Sequence, residues 1–231
     1  EPELEENGLE TTPQKKQQDI NKKNYHLITN EAEIDGWINE AEESGELAID
    51  TETSSLDVHQ ADLIGISLST KIGKACYIPI GHKFKGCLKK ENVIKKLKPL
   101  LEDVSVKKIG QNIKFDFIVL YKQGINMSSM EDTMLMSYVL DAGKNRHNMD
   151  TLSEIHLQHK TISFKEIVGT GKKEINFSDV ELNKAMEYAA EDADITYRLY
   201  KIFSKSLKLE KLTNIYEIFE KPLIKILAFM E

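Results

Sequence analysis

The sequence predicts an α/β fold in which a mixed β-sheet is flanked by α-helices. Two observations support this prediction. Three strand-like runs follow one another in the first third of the chain, separated by polar or glycine-containing turns, which is typical of an antiparallel meander. Helix-like and strand-like segments then alternate, as they do where crossover connections build parallel strand pairs. Together they predict a mixed sheet with helices packed against it.

The composition limits the class of protein. With 231 residues, 40% of them hydrophobic, the chain is long enough for one sizeable domain plus extensions. A formal net charge of −7 argues against a protein that coats nucleic acid through a broad positive field. If nucleic acid binds this chain, it therefore binds locally.

The chain also carries no obvious signal for membranes or disulfides. No stretch of the sequence approaches the roughly 18 uninterrupted apolar residues of a membrane span, and the N-terminus is acidic where a signal peptide is basic. We therefore expect no membrane partner and a cytoplasmic location. Cys76 and Cys87 lack metal-ligand spacing, so we interpret them as reduced packing residues.

The N-terminal half begins with a linker and continues into the meander. Residues 1–24 contain almost no large apolar side chains, which predicts a flexible linker. Apolar residues then predict a short strand over Tyr25–Ile28 and a helix over about Glu31–Ala41. The three strands of the meander are predicted at Glu46–Glu52, Ala61–Ser69 and Lys74–Ile80.

Alternating segments and then helices fill the rest of the chain. The alternating elements are predicted as a helix near Asn92–Leu101, a strand at Lys107–Gly110, a helix over about Ile113–Gln123, and a continuation over Met130–Leu140. Two capping boxes predict helix starts, at Thr151 with Glu154 and at Ser178 with Glu181. The polar stretch 159–176 is predicted to be an irregular loop, and 207–231 to be helical.

The sharpest local feature is Asp50-Thr51-Glu52, at the end of a hydrophobic strand. Strand side chains alternate between faces, so Asp50 and Glu52 are predicted to point the same way. Two close carboxylates repel each other, and a bound cation is the usual way to keep both ionised. The alternative is a strand that simply runs out into a polar turn.

A second feature is the pair Asn112 and Asp116, four residues apart at the start of a predicted helix. This spacing places both side chains on one helical face. Taken alone, the pattern favours a simpler interpretation, in which Asn112 caps the helix and Asp116 is a favourable first-turn acid.

A third feature lies in a helix rich in small residues, where Tyr188 and Asp192 are one turn apart. They project from one face, while neighbouring alanines allow the helix to lie close to packed structure. In the alternative, the acids of this segment form a solvated face and Tyr188 is a core residue. For Glu187 and Asp194 we adopt that alternative.

Together, these motifs resemble the proofreading exonuclease domain of family A DNA polymerases, within the superfamily that has four acidic metal ligands. The similarity runs from about Asn24 to the last residue, through DTETSSLD, GQNIKFD, RHNMDTL, HKTISFKEI and YAAEDADITYRLY. The histidine-bearing subclass would need His at position 187, which is Glu here, so the chain resembles the tyrosine subclass.

The resemblance implies a ribonuclease H-like fold and a 3′→5′ exonuclease domain over 25–206. The uncapped helix 207–231 would then lead toward a covalently linked polymerase module. Asp50, Glu52 and Asp192 would bind one divalent cation, and Asp50 and Asp116 a second. Tyr188 would orient the attacking water. Mg²⁺ is the expected metal because all the ligands are hard oxygens, and Mn²⁺ should substitute.

The expected partner is the 3′ end of single-stranded DNA, bound by a monomer that acts at the bacterial nucleoid. Leu56 and Phe164 match family positions where apolar side chains wedge against the terminal bases, although either could be ordinary core. The candidate contacts to the rest of the strand are Asn112, Lys114, Arg146 and Lys165. His156 and His159 lack zinc-ligand partners in the sequence, so we expect them on the surface.

Two other functions remain open. The chain could be a catalytically silent module that only binds DNA or supports a polymerase, although all four acids and the tyrosine are present. It could also be a ribonuclease D type enzyme that trims RNA with the same site. The similarity of the last residues to a helix entering a polymerase module disfavours this second alternative.

Overall fold

The structure, a computed structural model, describes residue 20 and residues 24–231, and within this range six strands form one mixed sheet. The strands are β1 (Tyr25–Leu27), β2 (Glu46–Thr53), β3 (Leu63–Lys71), β4 (Lys74–Pro79), β5 (Lys107–Gly110) and β6 (Met130–Asp132). Their order across the sheet is β1-β4-β3-β2-β5-β6. The predicted linker over 1–24 lies almost entirely outside the described residues.

The helices pack on both faces of this sheet. They are α1 (Glu33–Ser44), α2 (Lys90–Glu102), α3 (Ile113–Lys122), α4 (Thr133–Asp141), α5 (Met149–Leu157), α6 (Phe164–Val168), α7 (Leu182–Leu209), α8 (Thr213–Ile215) and α9 (Lys221–Met230). Strands β2, β3 and β4 pair antiparallel, whereas β1–β4, β2–β5 and β5–β6 are parallel. The predicted meander and crossovers are therefore confirmed.

The alternation of β2 divides its side chains between two cores. Leu47 and Ile49 pack into the core formed with α1, α2 and α3, whereas Ala48 packs into the core formed with α7. Because successive strand residues alternate faces, Asp50 and Glu52 project toward α7, and Thr51 projects toward α3. The strand that carries the first acids thus presents them to the helix that carries Asp192.

A glycine on β3 lets an aromatic ring lie next to the acid-bearing strand. Gly65 pairs with Glu52 across the β2–β3 ladder, and a Cβ added at Gly65 would lie 2.0 Å from the hydroxyl oxygen of Tyr77. The Tyr77 ring is buried, and its hydroxyl is 2.7 Å from Nε2 of His82. The space that a side chain would fill is therefore already occupied.

We expect Gly65→Ala to lower the free energy of unfolding by about 1–3 kcal/mol, because the new methyl group forces the buried Tyr77 ring to move. Urea denaturation measures the change. Gly36→Ala is the matched control, since a Cβ at this position in α1 meets nothing within 4 Å and should be neutral or stabilising. Equal stability of Gly65→Ala and wild type would contradict the close approach.

Both capping-box predictions are wrong about where the helices start. Helix α5 begins at Met149, so Thr151 lies inside its first turn. Helix α7 is capped by Glu181 itself, whose carboxylate accepts the backbone N–H groups of Asn183 and Lys184. Ser178 instead lies in a 3₁₀ turn that ends before α7. The side chain of an acid, and not the predicted serine, therefore caps the first backbone donors of α7.

The stretch 159–176 is more ordered than predicted. It contains α6 and a 3₁₀ turn at Gly171–Lys173. Val168 at the end of α6 is buried in a cluster with Phe177 and Ile64, so the segment has its own contact with the core. This apolar anchor explains why a polar, glycine-containing stretch is folded against the domain.

The C-terminal segment is helical but interrupted. Helix α7 ends at Leu209, and Lys211 has a left-handed backbone with φ 60°. Helix α8, a π-helical turn at Tyr216–Glu220 and α9 follow. Tyr216 and Ile224 are the buried apolar anchors here, and the role of the segment as a connection to another module stays a prediction. Among the described helices, none is both long and apolar enough to cross a lipid bilayer.

Candidate metal centre

A cavity of about 780 Å³ opens where β2 ends beside α7. Three of the predicted acids line it, together with Tyr188 and a group of apolar side chains, of which Phe177 is buried and the others are exposed or half-buried. The apolar lining residues are Leu56, Phe115, Met149, Phe164, Ile175 and Phe177. The cavity therefore combines three predicted acids with a large apolar lining.

Asp50, Glu52 and Asp192 converge in this cavity. Each offers one carboxylate oxygen, and these oxygens all lie within 4.8 Å of one another. Helix α7 reaches this close because Ala189, Ala190 and Ala193 are fully buried against the sheet, as the small-residue pattern predicted. Oxygens at this spacing can bind one divalent cation together.

Asp116 approaches the same strand from α3. Its side chain is buried, and Oδ1 accepts the backbone N–H of Thr51 at 2.9 Å and the Thr51 hydroxyl at 2.6 Å. Its charge also raises the pKa of Glu52, although less than burial and the charges of the other two acids do. Asp116 therefore lies beside the three-acid cluster, oriented by Thr51.

Asn112 occupies the N-cap position of α3, but its side chain makes no capping hydrogen bond. Its backbone is left-handed, with φ 59°. Asp132, a residue that we did not predict, accepts the backbone N–H groups of Asn112 and Ile113 at 3.1 and 3.0 Å. A buried carboxylate from the end of β6 thus fixes the start of the helix that carries Asp116.

Buried so close together, the ionised carboxylates repel one another. Burial raises the pKa of Asp50 well above its usual range, and the charge of Asp192 raises it further. The pKa of Glu52 is raised by burial and then by Asp50, Asp192 and Asp116. Among the described residues, Oε1 of Glu52 is buried and has no hydrogen-bond partner. A hard divalent cation fits this site because it would bind that oxygen and offset the repulsion.

Without metal, the domain should lose stability as pH rises above about 4, where unperturbed carboxyl groups ionise. The raised pKa of Asp50 and Glu52 means that the folded state retains protons that the unfolded chain has released. The unfolding free energy therefore falls with increasing pH. Melting temperatures in EDTA between pH 4 and 8 test this, with Asp50→Asn as comparison. The melting temperature of Asp50→Asn should fall less steeply with pH than that of wild type. Equal slopes for the two proteins would contradict the prediction.

Tyr188 lies at the edge of the acid cluster. Its ring is 6.1 Å, centroid to centroid, from Phe164 and from Phe177. Burial raises the pKa of its hydroxyl far above the usual value, and the charge of Asp192 adds to the rise. A hydrogen bond to Asp192 also contributes, so the hydroxyl stays protonated at neutral pH and is a hydrogen-bond donor beside the carboxylates.

The two predicted wedge residues are not part of the core. Leu56 is 93% exposed and Phe164 is 44% exposed, and both line the cavity. Phe164 stacks on Phe177, with an interplanar angle of 11°. These side chains form an apolar wall of the cavity that the acids also line, which is the type of surface on which a nucleobase stacks.

The predicted basic contacts lie further out. Lys114 forms an ion pair with Glu231. Arg146 is exposed in the connection between α4 and α5, and Lys165 is exposed on α6. Contact of Lys114, Arg146 and Lys165 with the DNA strand stays a prediction.

The prediction of an exposed side chain is wrong for Asp194 and for His159, although Glu187 is exposed as predicted. Asp194 is fully buried, where its carboxylate accepts hydrogen bonds from the Tyr25 hydroxyl at 2.8 Å and the Gly73 N–H at 2.7 Å. His159 is buried against Glu191, and His156 is half-buried against Phe203. Long-range partners satisfy these polar groups, so their polarity did not indicate exposure.

The fold and the cluster define an α/β protein with a carboxylate site suited to divalent cations. Residues 25–208 match the family model described as 3′-5′ exonuclease. The chain therefore belongs to the 3′-5′ exonuclease family, and the resemblance to the exonuclease domain of family A DNA polymerases is confirmed.

Two DNA polymerase I proteins are similar over most of the chain. The protein from Rhizobium leguminosarum is 42% identical over 228 residues, which cover 90% of this chain and 22% of the relative. The protein from Pseudomonas aeruginosa is 38% identical, with 98% and 25% covered. The chain thus spans a quarter or less of the length of these two relatives.

Solved structures confirm the predicted ribonuclease H-like fold. Brucella melitensis NrnC is 24% identical, with a TM-score of 0.62 over 82% of this chain and 84% of NrnC. NrnC has also been solved with bound Mg²⁺, with a TM-score of 0.59 at 23% identity. At this level of identity the likeness concerns the fold.

Proposed function

We propose that this domain hydrolyses the terminal phosphodiester at the 3′ end of single-stranded or frayed DNA and releases nucleoside 5′-monophosphates. The observation that carries the proposal is the convergence of Asp50, Glu52 and Asp192 beside Tyr188 in one cavity with an apolar wall. Such a site suits proofreading, in which a mispaired end must be accepted whatever its base.

Divalent cations are the cofactors of this proposal. Asp50, Glu52 and Asp192 would bind one ion, and Asp50 would also bind a second ion that Asp116 would hold through water. The orphaned Oε1 of Glu52 and the raised pKa values of the acids support the first site. Mg²⁺ suits an all-oxygen ligand set, it is bound in an NrnC structure, and Mn²⁺ should substitute.

The reaction needs charge neutralisation because both a phosphodiester and hydroxide are negative. When bound, two divalent ions would lower the pKa of the attacking water and stabilise charge on the departing 3′ oxygen. Tyr188 donates a hydrogen bond that directs this water toward phosphorus. The carboxylates need not accept the proton, so their role is to hold the cations.

The protein also has to grip the strand. Phe164 and Leu56 would contact the terminal bases, since aromatic and apolar surfaces stack on any base without reading its edge. Asn112, Lys114, Arg146 and Lys165 would contact the strand beyond these bases. This division fits an enzyme that accepts any terminal nucleotide.

The context is proposed from the relatives. Both are DNA polymerase I proteins several times longer than this chain, so we propose a covalently linked polymerase module, with the domain acting as a monomer in a bacterial cytoplasm. We expect weak activity from the 231-residue chain alone, because such a module would help deliver the strand.

One incubation separates this proposal from its alternatives. The chain is mixed with 5′-labelled single-stranded DNA or RNA, in Mg²⁺ or in EDTA, beside Asp116→Ala. We expect wild type in Mg²⁺ to shorten DNA stepwise from its 3′ end. We expect no shortening in EDTA or with Asp116→Ala. Faster loss of RNA would indicate a ribonuclease D type activity. DNA binding without cleavage would indicate a silent module.

A further inference from the structure

The carboxylate of Glu191 connects α7 to residues 159–162, which precede Phe164 in the chain. Glu191 is fully buried, its Oε1 lies 2.8 Å from Nε2 of His159, and its Oε2 accepts the backbone N–H of Ile162 at 2.7 Å. A buried carboxylate is costly unless hydrogen bonds compensate its burial. A residue that served packing alone would be apolar here.

Helix α5 holds the same segment from the other side. The Ser153 hydroxyl donates to the carbonyl oxygen of His159 at 2.9 Å, and the Thr161 hydroxyl donates to Asp150 at 2.6 Å. Four hydrogen bonds that involve side chains therefore fix residues 159–162 between α5 and α7.

Phe164 follows this anchored segment by two residues. It opens α6, which has five residues and no side-chain capping bond. A helix this short is not stable by itself, so its position depends on what precedes it and on its packing. The Phe164 ring stacks on Phe177 and meets Tyr188 edge-on, each at 6.1 Å between centroids.

We propose that Glu191 is a positioning residue for substrate binding. With His159, it holds residues 159–162 so that the Phe164 ring stays beside Tyr188, where the terminal base would stack. Glu191 acts through Phe164 and not as a metal ligand, because both its oxygens engage the segment. This inference rests on the proposed function, and it assigns Glu191 and Asp192, adjacent in sequence, to different tasks.

A double-mutant cycle tests the inference. Steady-state cleavage of single-stranded DNA is measured for wild type, Glu191→Ala, Phe164→Ala and the double variant. We expect each single variant to raise KM about tenfold with little change in kcat, because base stacking is lost. We expect the double variant to match Phe164→Ala, since Glu191 has nothing left to position. The inference would be overturned if the KM increases of the two single variants multiplied in the double variant, or if Glu191→Ala lowered kcat without raising KM.

Further variants keep the test decisive if Glu191→Ala folds poorly. Glu191→Gln retains an acceptor for the Ile162 N–H and should restore most of the KM. His159→Ala removes the imidazole that contacts Glu191. A double-mutant cycle of His159→Ala with Phe164→Ala should show the same non-additivity in KM. Each folded variant should keep the rise in melting temperature that Mg²⁺ gives wild type, and loss of that rise would assign Glu191 to the metal site instead.

The two proposals fail in different ways. A wild-type domain that does not shorten DNA would overturn the proposed function. An active wild type with additive losses would overturn only the role of Glu191. Calorimetric binding of thymidine 5′-monophosphate, in Mg²⁺, gives a readout without turnover, and Glu191→Ala should weaken it about as much as Phe164→Ala does.

Discussion

Asp50→Asn is expected to slow release of nucleotides from a single-stranded DNA 3′ end by about 10³-fold or more. The substitution removes the carboxylate shared by both proposed cations, and losing several kcal/mol of charge stabilisation corresponds to a rate loss of this size. Single-turnover cleavage of labelled DNA in excess Mg²⁺ measures it.

The same substitution should raise the melting temperature in EDTA. The acids repel one another when no cation is bound, and burial with the charge of Asp192 raises the pKa of Asp50. Removing one charge relieves that repulsion, whereas Mg²⁺ should no longer stabilise the variant. Glu187→Gln, which changes an exposed acid on α7, is the control and should alter neither property. Wild-type activity in Asp50→Asn would contradict the assigned site.

Tyr188→Phe is expected to lower kcat by about 10²-fold and to leave KM nearly unchanged. The substitution keeps the ring that packs on Phe164 and Phe177 and removes only the hydroxyl. The raised pKa of this hydroxyl keeps it a donor over the working pH range, so its loss removes orientation of the water. Rapid-quench measurement of the chemical step gives the value.

Tyr197→Phe is the control for this prediction. Tyr197 lies on the same helix, and its hydroxyl donates to Glu46 at 3.0 Å, away from the cavity. It should retain wild-type kcat. If Tyr188→Phe lost affinity for DNA while its kcat was unchanged, the residue would belong to the binding surface and not to the reaction.

The sequence was most informative where a local period decides the geometry. Asp50 and Glu52 share a face because strand side chains alternate, and the alanines of α7 predict a close approach of Asp192. The meander, the crossovers and the apolar stripes followed from the same periods. Local patterns therefore sufficed for the sheet and for the shared face of Asp50 and Glu52, whereas the grouping of Asp192 with them was implied by the family resemblance.

Contacts between distant segments were not predictable in this way. Asp194 is buried because Tyr25 and Gly73, 169 and 121 residues away, donate to it. His159 meets Glu191 across 32 residues, and Thr51 orients Asp116 across 65. The sequence of a helix does not distinguish a buried acid whose hydrogen bonds come from distant segments from an acid that faces solvent. The supporting shell of the site therefore had to be read from the structure.

The central claim is that four acids distant in sequence hold a pair of cations. Crystals of the domain soaked in Mn²⁺ test it directly through anomalous scattering. We predict one peak among Asp50, Glu52 and Asp192 and a second beside Asp50 and Asp116, both lost in Asp50→Asn. Crystals with bound Mn²⁺ elsewhere and none between these carboxylates would contradict the account.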